Sequence, residues 1–353
     1  MTTGELWWNR LVNSARFLDD IQDTLTDNKS VILFFNTIIP WQEIMIEAIG
    51  RRIADNTHEM TFDILDVSKV TEPALYLIDK YCSKDEQNKY WPTTHGTPEN
   101  FLAHSKVTSM NRRYIFLKGI NTKNALKWTE SVTKYLAGCE ADSEHGIFII
   151  MLENINVPVS RHLTAFRYED YITDYDCMML CLTLVSDMKC SRTEKMYLCE
   201  VASNIANNNV ELASMLAKNQ TALLKNPHNI TKQVFTENNV KGTNLKERVR
   251  TAVWKAQIKL VFPKLENFRA ELIRKYEQKL SFYLPIESSN NDIIENPSHL
   301  EIGQLYFICK ANGTQKIVSI SEYEMLRKMR EARNTLAHWE PLSYEQLTDI
   351  NVF

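Results

Sequence analysis

The sequence lacks an apolar run long enough to cross a membrane, since no stretch approaches the roughly 18 residues that a spanning helix needs. Its N-terminus also lacks the basic segment and apolar core of a secretory signal. The seven cysteines form no CxxC pair and show no metal-ligand spacing, and their odd number argues against a disulfide framework. We therefore expect a cytoplasmic protein with reduced thiols, without a metal, a cofactor or a membrane contact.

A strong overall charge is also missing. The formal net charge of -3 on 353 residues argues against a protein that coats nucleic acid along its whole surface. From Lys241 to Lys279, however, eleven lysines and arginines stand against four acidic residues. Lys255, Lys259 and Arg274 in this basic segment are therefore candidate contacts to RNA phosphates. A solvated helix face is the alternative interpretation.

Short apolar runs in the first 160 residues predict buried strands at 31–35, 62–67, 114–117 and 147–152. Amphipathic segments between them, notably 41–53 and 124–136, predict helices. Strands that alternate with helices are typical of a parallel sheet covered by helices. We therefore expect an α/β domain over residues 1–160.

This order of elements resembles the core of a P-loop ATPase of the AAA+ or STAND kind, with the strand at 31–35 before the phosphate loop. A phosphate loop needs glycines, so that consecutive N–H groups can wrap the phosphates, and a lysine that reaches the terminal ones. Residues 36–41 contain neither, and Pro40 removes one donor. The resemblance therefore implies a degenerate ATPase-like scaffold or sensor, and disfavours an active ATPase.

The rest of the chain has helical patterns. We expect a helical or winged-helix-like module over 161–225, with helices at 174–185, 195–205 and 211–216. A polar stretch with Pro227 and Gly242 predicts a linker over 226–244. Residues 245–353 predict an all-α bundle, with a long helix over 245–280 that Pro263 should kink or divide and a final helix over 319–338. Ser321 and Glu324 form the expected capping box of that final helix.

The final helix carries the residues that could do chemistry. Arg330, Asn334 and His338 follow each other at i, i+4 on one face, and Arg333 stands beside them. An imidazole can take the proton from a ribose 2′-hydroxyl or return one to the leaving 5′-oxygen, while a guanidinium holds the phosphate on two oxygens. This pattern predicts cleavage of RNA without a metal, a 2′,3′-cyclic phosphate product and no action on DNA.

The segment Arg333-Asn334-Thr335-Leu336-Ala337-His338 matches the RNxxxH form of the Rx4-6H motif of the HEPN superfamily, and the similarity covers residues 245–353. Catalytic members of that family act as paired units. The resemblance implies that Arg333 and His338 are catalytic and that Asn334 supports them. Arg330, on the same helix face as Asn334 and His338, is a further candidate RNA-binding residue. Because the chain holds one copy of the motif, a homodimer or a second HEPN protein would complete the site.

The resemblance further implies a toxin or an abortive-infection effector in antiviral defence, restrained by its N-terminal domain, a regulatory protein or an antitoxin. A second interpretation stays open: a non-catalytic HEPN domain that binds nucleic acid or a protein in a defence complex. In that case Arg333 would cap carbonyl groups and His338 would simply end the helix. For Trp254 and Trp339, core packing is favoured over base stacking.

Overall fold

A computed structural model describes residues 1–56, 61–140, 143–207, 209–241, 243–287, 293–311 and 317–353. The chain divides into two units, Met1–Asp176 and Cys177–Phe353. Among the helices within these ranges, none combines the length and the apolar character required to span a bilayer.

The first unit contains a parallel sheet with helices before, between and after its strands. The strands are β1 (Ser30–Phe35), β2 (Thr61–Asp66), β3 (Arg113–Lys118), β4 (Ile147–Glu153) and β5 (Leu163–Arg167). The helices are α1 (Thr3–Arg10), α2 (Val12–Thr26), α3 (Gln42–Asn56), α4 (Pro73–Tyr81), α5 (Lys84–Gln87), α6 (Pro92–His95), α7 (Pro98–His104), α8 (Ala125–Gly138) and α9 (Tyr168–Tyr171).

All five strands are parallel, in the order β2-β3-β4-β1-β5. The predicted α/β fold of the first part of the chain is thus confirmed, and the four predicted strands are all in the sheet. The fifth strand was not predicted, because residues 163–167 were expected to belong to a helical module. It is an edge strand, and only Leu163 and Phe166 of its five residues are buried.

Helices cover both faces of the sheet because the central strands are apolar on both sides. All six residues of β1 are buried. On one face Ile32 and Phe34 share a core with Trp128 of α8. On the other face the ring of Phe35 packs edge-on against Phe17 of α2, with 5.9 Å between ring centroids. Continuous apolar runs are the pattern expected of a parallel sheet buried on both sides.

Within its described residues, the second unit is helical apart from a two-stranded antiparallel sheet and a 3-10 turn. Helix α10 (Asp174–Leu184) starts at the boundary between the units. The following elements are α11 (Arg192–Ala206), α12 (Val210–Ala217), α13 (Thr221–Lys225), α14 (Pro227–Glu237), α15 (Leu245–Ser281), β6 (Ile286–Glu287), β7 (Ile293–Ile294), a 3-10 turn (Pro297–His299), α16 (Ile302–Ala311), α17 (Ile320–Ala337) and α18 (Tyr344–Asp349). The helical character predicted for the C-terminal region is confirmed.

The expected linker over 226–244 is wrong for most of its length, since α14 occupies residues 227–237. Pro227 takes the first helical position, where its missing N–H costs nothing, and Thr231, Val234 and Phe235 are buried on one side. Gly242, also assigned to the linker, lies outside the described residues. The helices expected to form a separate module up to 225 share one core with the C-terminal helices, for example Leu198 of α11 with Leu336 of α17.

The long helix α15 departs from helical geometry at Tyr276 (φ -118°, ψ 17°), whereas Pro263 lies in helical backbone. The predicted kink at Pro263 is therefore wrong. The kink at Tyr276 lies where α15 contacts the start of α17. The Tyr276 hydroxyl donates to Glu322 Oε2 at 2.6 Å, and Lys275 Nζ donates to Glu322 Oε1 at 2.6 Å.

Helix α17 begins at a capping box formed by Ser319 and Glu322, two residues before the predicted pair Ser321 and Glu324. The Glu322 N–H donates to Ser319 Oγ at 3.3 Å, and the Ser319 N–H donates to Glu322 Oε2 at 3.0 Å. Partial burial alone would raise the pKa of Glu322, but hydrogen bonds from Lys275, Ser319 and Tyr276 outweigh it and lower the pKa to about 2.

We predict that Glu322→Gln lowers the free energy of unfolding by about 1–2 kcal/mol at pH 7, because a charge-accepting capping residue is lost. Because folding lowers the pKa of Glu322 from its ordinary value of 4.5, the ionised carboxylate stabilises the fold at pH values above 4.5. This contribution disappears as the pH falls toward 2. Urea unfolding followed by tryptophan fluorescence should show the difference between the proteins shrinking from pH 6 to pH 3. Glu324→Gln, an exposed neighbour, is the control; a constant difference would contradict the assignment.

Candidate functional site at the end of helix α17

Helix α17 positions the predicted motif. Arg330, Arg333 and Asn334 lie in its last two turns, and His338 is the capping residue at its C-terminus. The helix is continuous through Ala337, so the i, i+4 series expected from the sequence is present.

The motif side chains reach solvent. His338 is exposed, and the Arg333 side chain keeps 44% of its accessible surface. Arg333 Nη1 lies 3.4 Å from Asn334 Oδ1, and Arg333 Nη2 lies 3.8 Å from Glu301 Oε2. The guanidinium is thus held loosely between an amide and an exposed carboxylate, and it stays available to an incoming anion.

The helix ends in a Schellman motif. The N–H of Trp339 donates to the Leu336 carbonyl at 3.1 Å, and the N–H of Glu340 donates to the Thr335 carbonyl at 3.2 Å. Trp339 takes the left-handed position of this motif with φ 64°. Glycine or asparagine usually stands there, because a bulky side chain is strained at positive φ.

Helix α15 fixes this end of α17. Trp254 Nε1 donates to the Leu336 carbonyl at 2.8 Å, and Arg250 Nη1 donates to the Trp339 carbonyl at 3.2 Å. The rings of Trp254 and Trp339 stack with their centroids 4.4 Å apart and their planes 7° from parallel. The backbone that carries His338 is therefore held by a side chain on either side of it.

Arg330 is directed toward α16. Its guanidinium carbon lies 4.8 Å from the ring centroid of Tyr306 and 5.0 Å from that of Phe307. Phe307 is 56% exposed despite this contact. Arg330 is therefore a cation in an aromatic surface patch beside the motif, and the stacking restrains the position expected to bind RNA.

The predicted RNA-binding residues of α15 are not all near the motif. Lys255 is exposed and follows Trp254 directly. Lys259 is exposed, but its ammonium group lies 2.9 Å from Glu200 Oε2. Arg274 precedes Lys275, which meets Glu322 at the opposite end of α17, roughly 21 Å along the helix from Leu336 at 1.5 Å per residue. Lys255 is thus next in sequence to a residue that contacts the motif helix, whereas Arg274 lies far from the motif.

Glu301, Tyr306 and Phe307 line the motif and were not predicted as part of the site. They come from α16 and the residue before it, and they meet α17 only through packing of the two helices. A spacing rule within one helix carries no information about such contacts.

In the first unit, the backbone directly after β1, where the sequence resemblance to a P-loop ATPase would place the phosphate loop, contacts a carboxylate. The N–H of Asn36, directly after β1, donates to Glu169 Oε1 at 2.7 Å. Glu169 Oε2 is buried and has no hydrogen-bond partner among the described residues. An anion beside this N–H would repel a phosphate, which agrees with the missing glycines and lysine.

Among the residues that the structure describes, no group of three or more His, Cys, Asp or Glu side chains is placed to hold a metal ion. A comparison of the sequence with protein-family models finds no match, and a comparison with curated proteins finds no significant match.

We predict that Glu301→Gln raises the affinity for single-stranded RNA about two- to fivefold at low salt, because it removes the anion beside Arg333. Fluorescence anisotropy with a labelled oligonucleotide measures this. Glu237→Gln, which removes the same charge from α14, should leave the affinity unchanged. A lower or equal affinity for Glu301→Gln would show that Arg333 does not meet the RNA.

Proposed function

We propose that the second unit is a HEPN-like, metal-independent endoribonuclease with Arg333 and His338 as catalytic residues and Asn334 as a supporting residue. The observation that carries the proposal is the exposure of both side chains at one helix end. Neither the Arg333 side chain nor the His338 side chain is buried in the core of its own chain. The family resemblance of the segment 333–338 and the helical surroundings support the same proposal.

The proposed reaction is an internal transfer at phosphorus. A general base removes the proton from the ribose 2′-hydroxyl, and the 2′-oxygen forms a bond to phosphorus. The bond from phosphorus to the 5′-oxygen breaks, and a general acid gives that oxygen a proton. Arg333 holds two phosphate oxygens as charge gathers on them, and the Asn334 amide donates a further hydrogen bond. The products are a 2′,3′-cyclic phosphate and a free 5′-hydroxyl.

Two copies of the chain fit this reaction better than one. A base and an acid are needed in the same event, and each chain supplies one His338. Phe307, more than half exposed and next to the stacked Arg330, provides an apolar contact beside the motif. An exposed ring in such a place suits a symmetric interface in which both motif helices face each other.

The first unit would then act as a degenerate P-loop-like scaffold or sensor that controls the ribonuclease. The parallel sheet, the segment 36–41 without glycine or lysine, and the carboxylate of Glu169 at the end of β1 support this role. A ribonuclease in the cytoplasm needs restraint, which is consistent with a toxin or an antiviral effector and with a regulatory protein or antitoxin as partner.

The second candidate is a non-catalytic HEPN module that binds nucleic acid or a protein in a defence complex. One observation favours it: Arg333 and Arg330 both have partners within the chain, a carboxylate and two aromatic rings. Such a module would bind RNA without cutting it.

We predict that the wild-type protein cleaves single-stranded RNA in EDTA and that Arg333→Ala and His338→Ala each reduce the rate by about 10²–10⁴-fold, the range typical of a lost acid, base or anion-stabilising group. Gel analysis of a labelled RNA gives the rates. Arg327→Ala, on the same helix, and His299→Ala are matched controls that should cut normally. Cleavage by both motif variants at the wild-type rate would refute the assigned site.

We predict that Phe307→Glu converts the dimer to a monomer and abolishes cleavage, because it places a charge in the proposed interface. Sedimentation velocity gives the mass of the assembly. Phe282→Glu, at a phenylalanine that is 86% exposed, should keep both the dimer and the activity. A wild-type monomer that cleaves RNA would refute the two-copy site.

A further inference from the structure

The indole of Trp339, the residue directly after His338, is exposed to solvent. It is 59% exposed, although its ring stacks in parallel on Trp254 at 4.4 Å. A ring stacked on one face can reach this exposure only if its other face is open. The sequence had favoured core packing for both tryptophans, but the core accounts only for the half-buried Trp254.

The open ring is held in a fixed place. The backbone of Trp339 has φ 64°, which is strained for a bulky residue, and glycine would satisfy the same helix end. The Trp339 carbonyl accepts from Arg250, whose guanidinium also meets Glu340 Oε1 at 3.1 Å and Glu247 Oε1 at 2.8 Å. A strained conformation fixed by a network of this kind is typical of functional positions.

Residues that can contact phosphates flank Trp339 along the chain and its stacking partner Trp254 on α15. His338 precedes Trp339, Lys255 follows Trp254 on α15, and both are exposed. Arg333 lies in the last two turns of α17, six residues before Trp339. An aromatic face flanked by basic side chains is the arrangement with which proteins bind single strands, since every base can stack on it while the phosphates meet the cations.

We propose that Trp339 is the stacking platform for an unpaired base next to the scissile phosphate. This inference rests on the proposed function of Arg333 and His338 and names a further residue that positions their substrate. A base in a duplex has both faces covered by its neighbours and cannot occupy the platform. Stacking contacts the face of a base and makes no hydrogen bond to its edge. The platform therefore selects unpaired nucleotides without selecting a sequence.

The test uses the full chain with His338→Ala, so that RNA is bound but not cut, and measures the affinity for a labelled single-stranded oligoadenylate by anisotropy. Adding Trp339→Gly should weaken binding about 5- to 100-fold, the range for one lost base stack, whereas Trp339→Phe should keep most of the affinity. Glycine suits the left-handed backbone, so the fold is retained. Trp91→Leu, at a tryptophan that is 64% exposed in the first unit, should bind as the parent does.

Two further measurements separate this inference from the proposed function. Oligodeoxyadenylate lacks the 2′-hydroxyl but stacks equally well, so its binding should also depend on Trp339, whether or not the protein is a ribonuclease. Affinity for duplex RNA should not change in Trp339→Gly. Equal affinity of Trp339→Gly and its parent for both single strands would overturn the platform, and would assign the exposed indole to contact with a protein, even if the wild-type enzyme cleaves RNA.

Discussion

The hydrogen bond from the indole of Trp254 to the carbonyl of Leu336 ties the end of α17 to α15, and the candidate site depends on it. Carbonyl groups at a helix C-terminus carry partial negative charge and would repel a phosphodiester. Here the carbonyls of Thr335, Leu336 and Trp339 all accept hydrogen bonds from within the unit. These hydrogen bonds partly offset the negative charge of the carbonyl groups. The helix end can then accept a bound phosphate whose charge Arg333 neutralises.

The two ends of α17 differ in how completely their polar groups are satisfied. At the start of α17, the Glu322 carboxylate accepts hydrogen bonds from Ser319, Lys275 and Tyr276, and these contacts stabilise the fold. At its far end, Arg333 has a long and exposed ion pair, and Trp339 accepts a strained backbone with an open ring. Loosely satisfied groups and strain concentrate at the end that carries the motif, which is the distribution expected when a site retains groups for a ligand.

Much of this fold could be predicted from the sequence where one physical rule dominates. Continuous apolar runs give β1 to β4 because both faces of these strands are buried, whereas β5 lies at an edge and buries only Leu163 and Phe166. Helix α14 was mistaken for a linker because Pro227 and several asparagines outweighed the helical spacing of Thr231, Val234 and Phe235. The spacing of Arg333, Asn334 and His338 follows from helix geometry alone. Their partners Glu301 and Trp254 depend on packing between helices and could not be predicted.

We propose that the helix end at 333–338 cleaves RNA through the 2′-oxygen without a metal. Mass spectrometry of the fragments released from a defined RNA in EDTA is the direct test. We expect fragments that end in a 2′,3′-cyclic phosphate, and no cut at a position where a single 2′-deoxynucleotide replaces the attacking ribose. Fragments with a 3′-hydroxyl and a 5′-phosphate, or cleavage at the deoxynucleotide, would rule out this reaction.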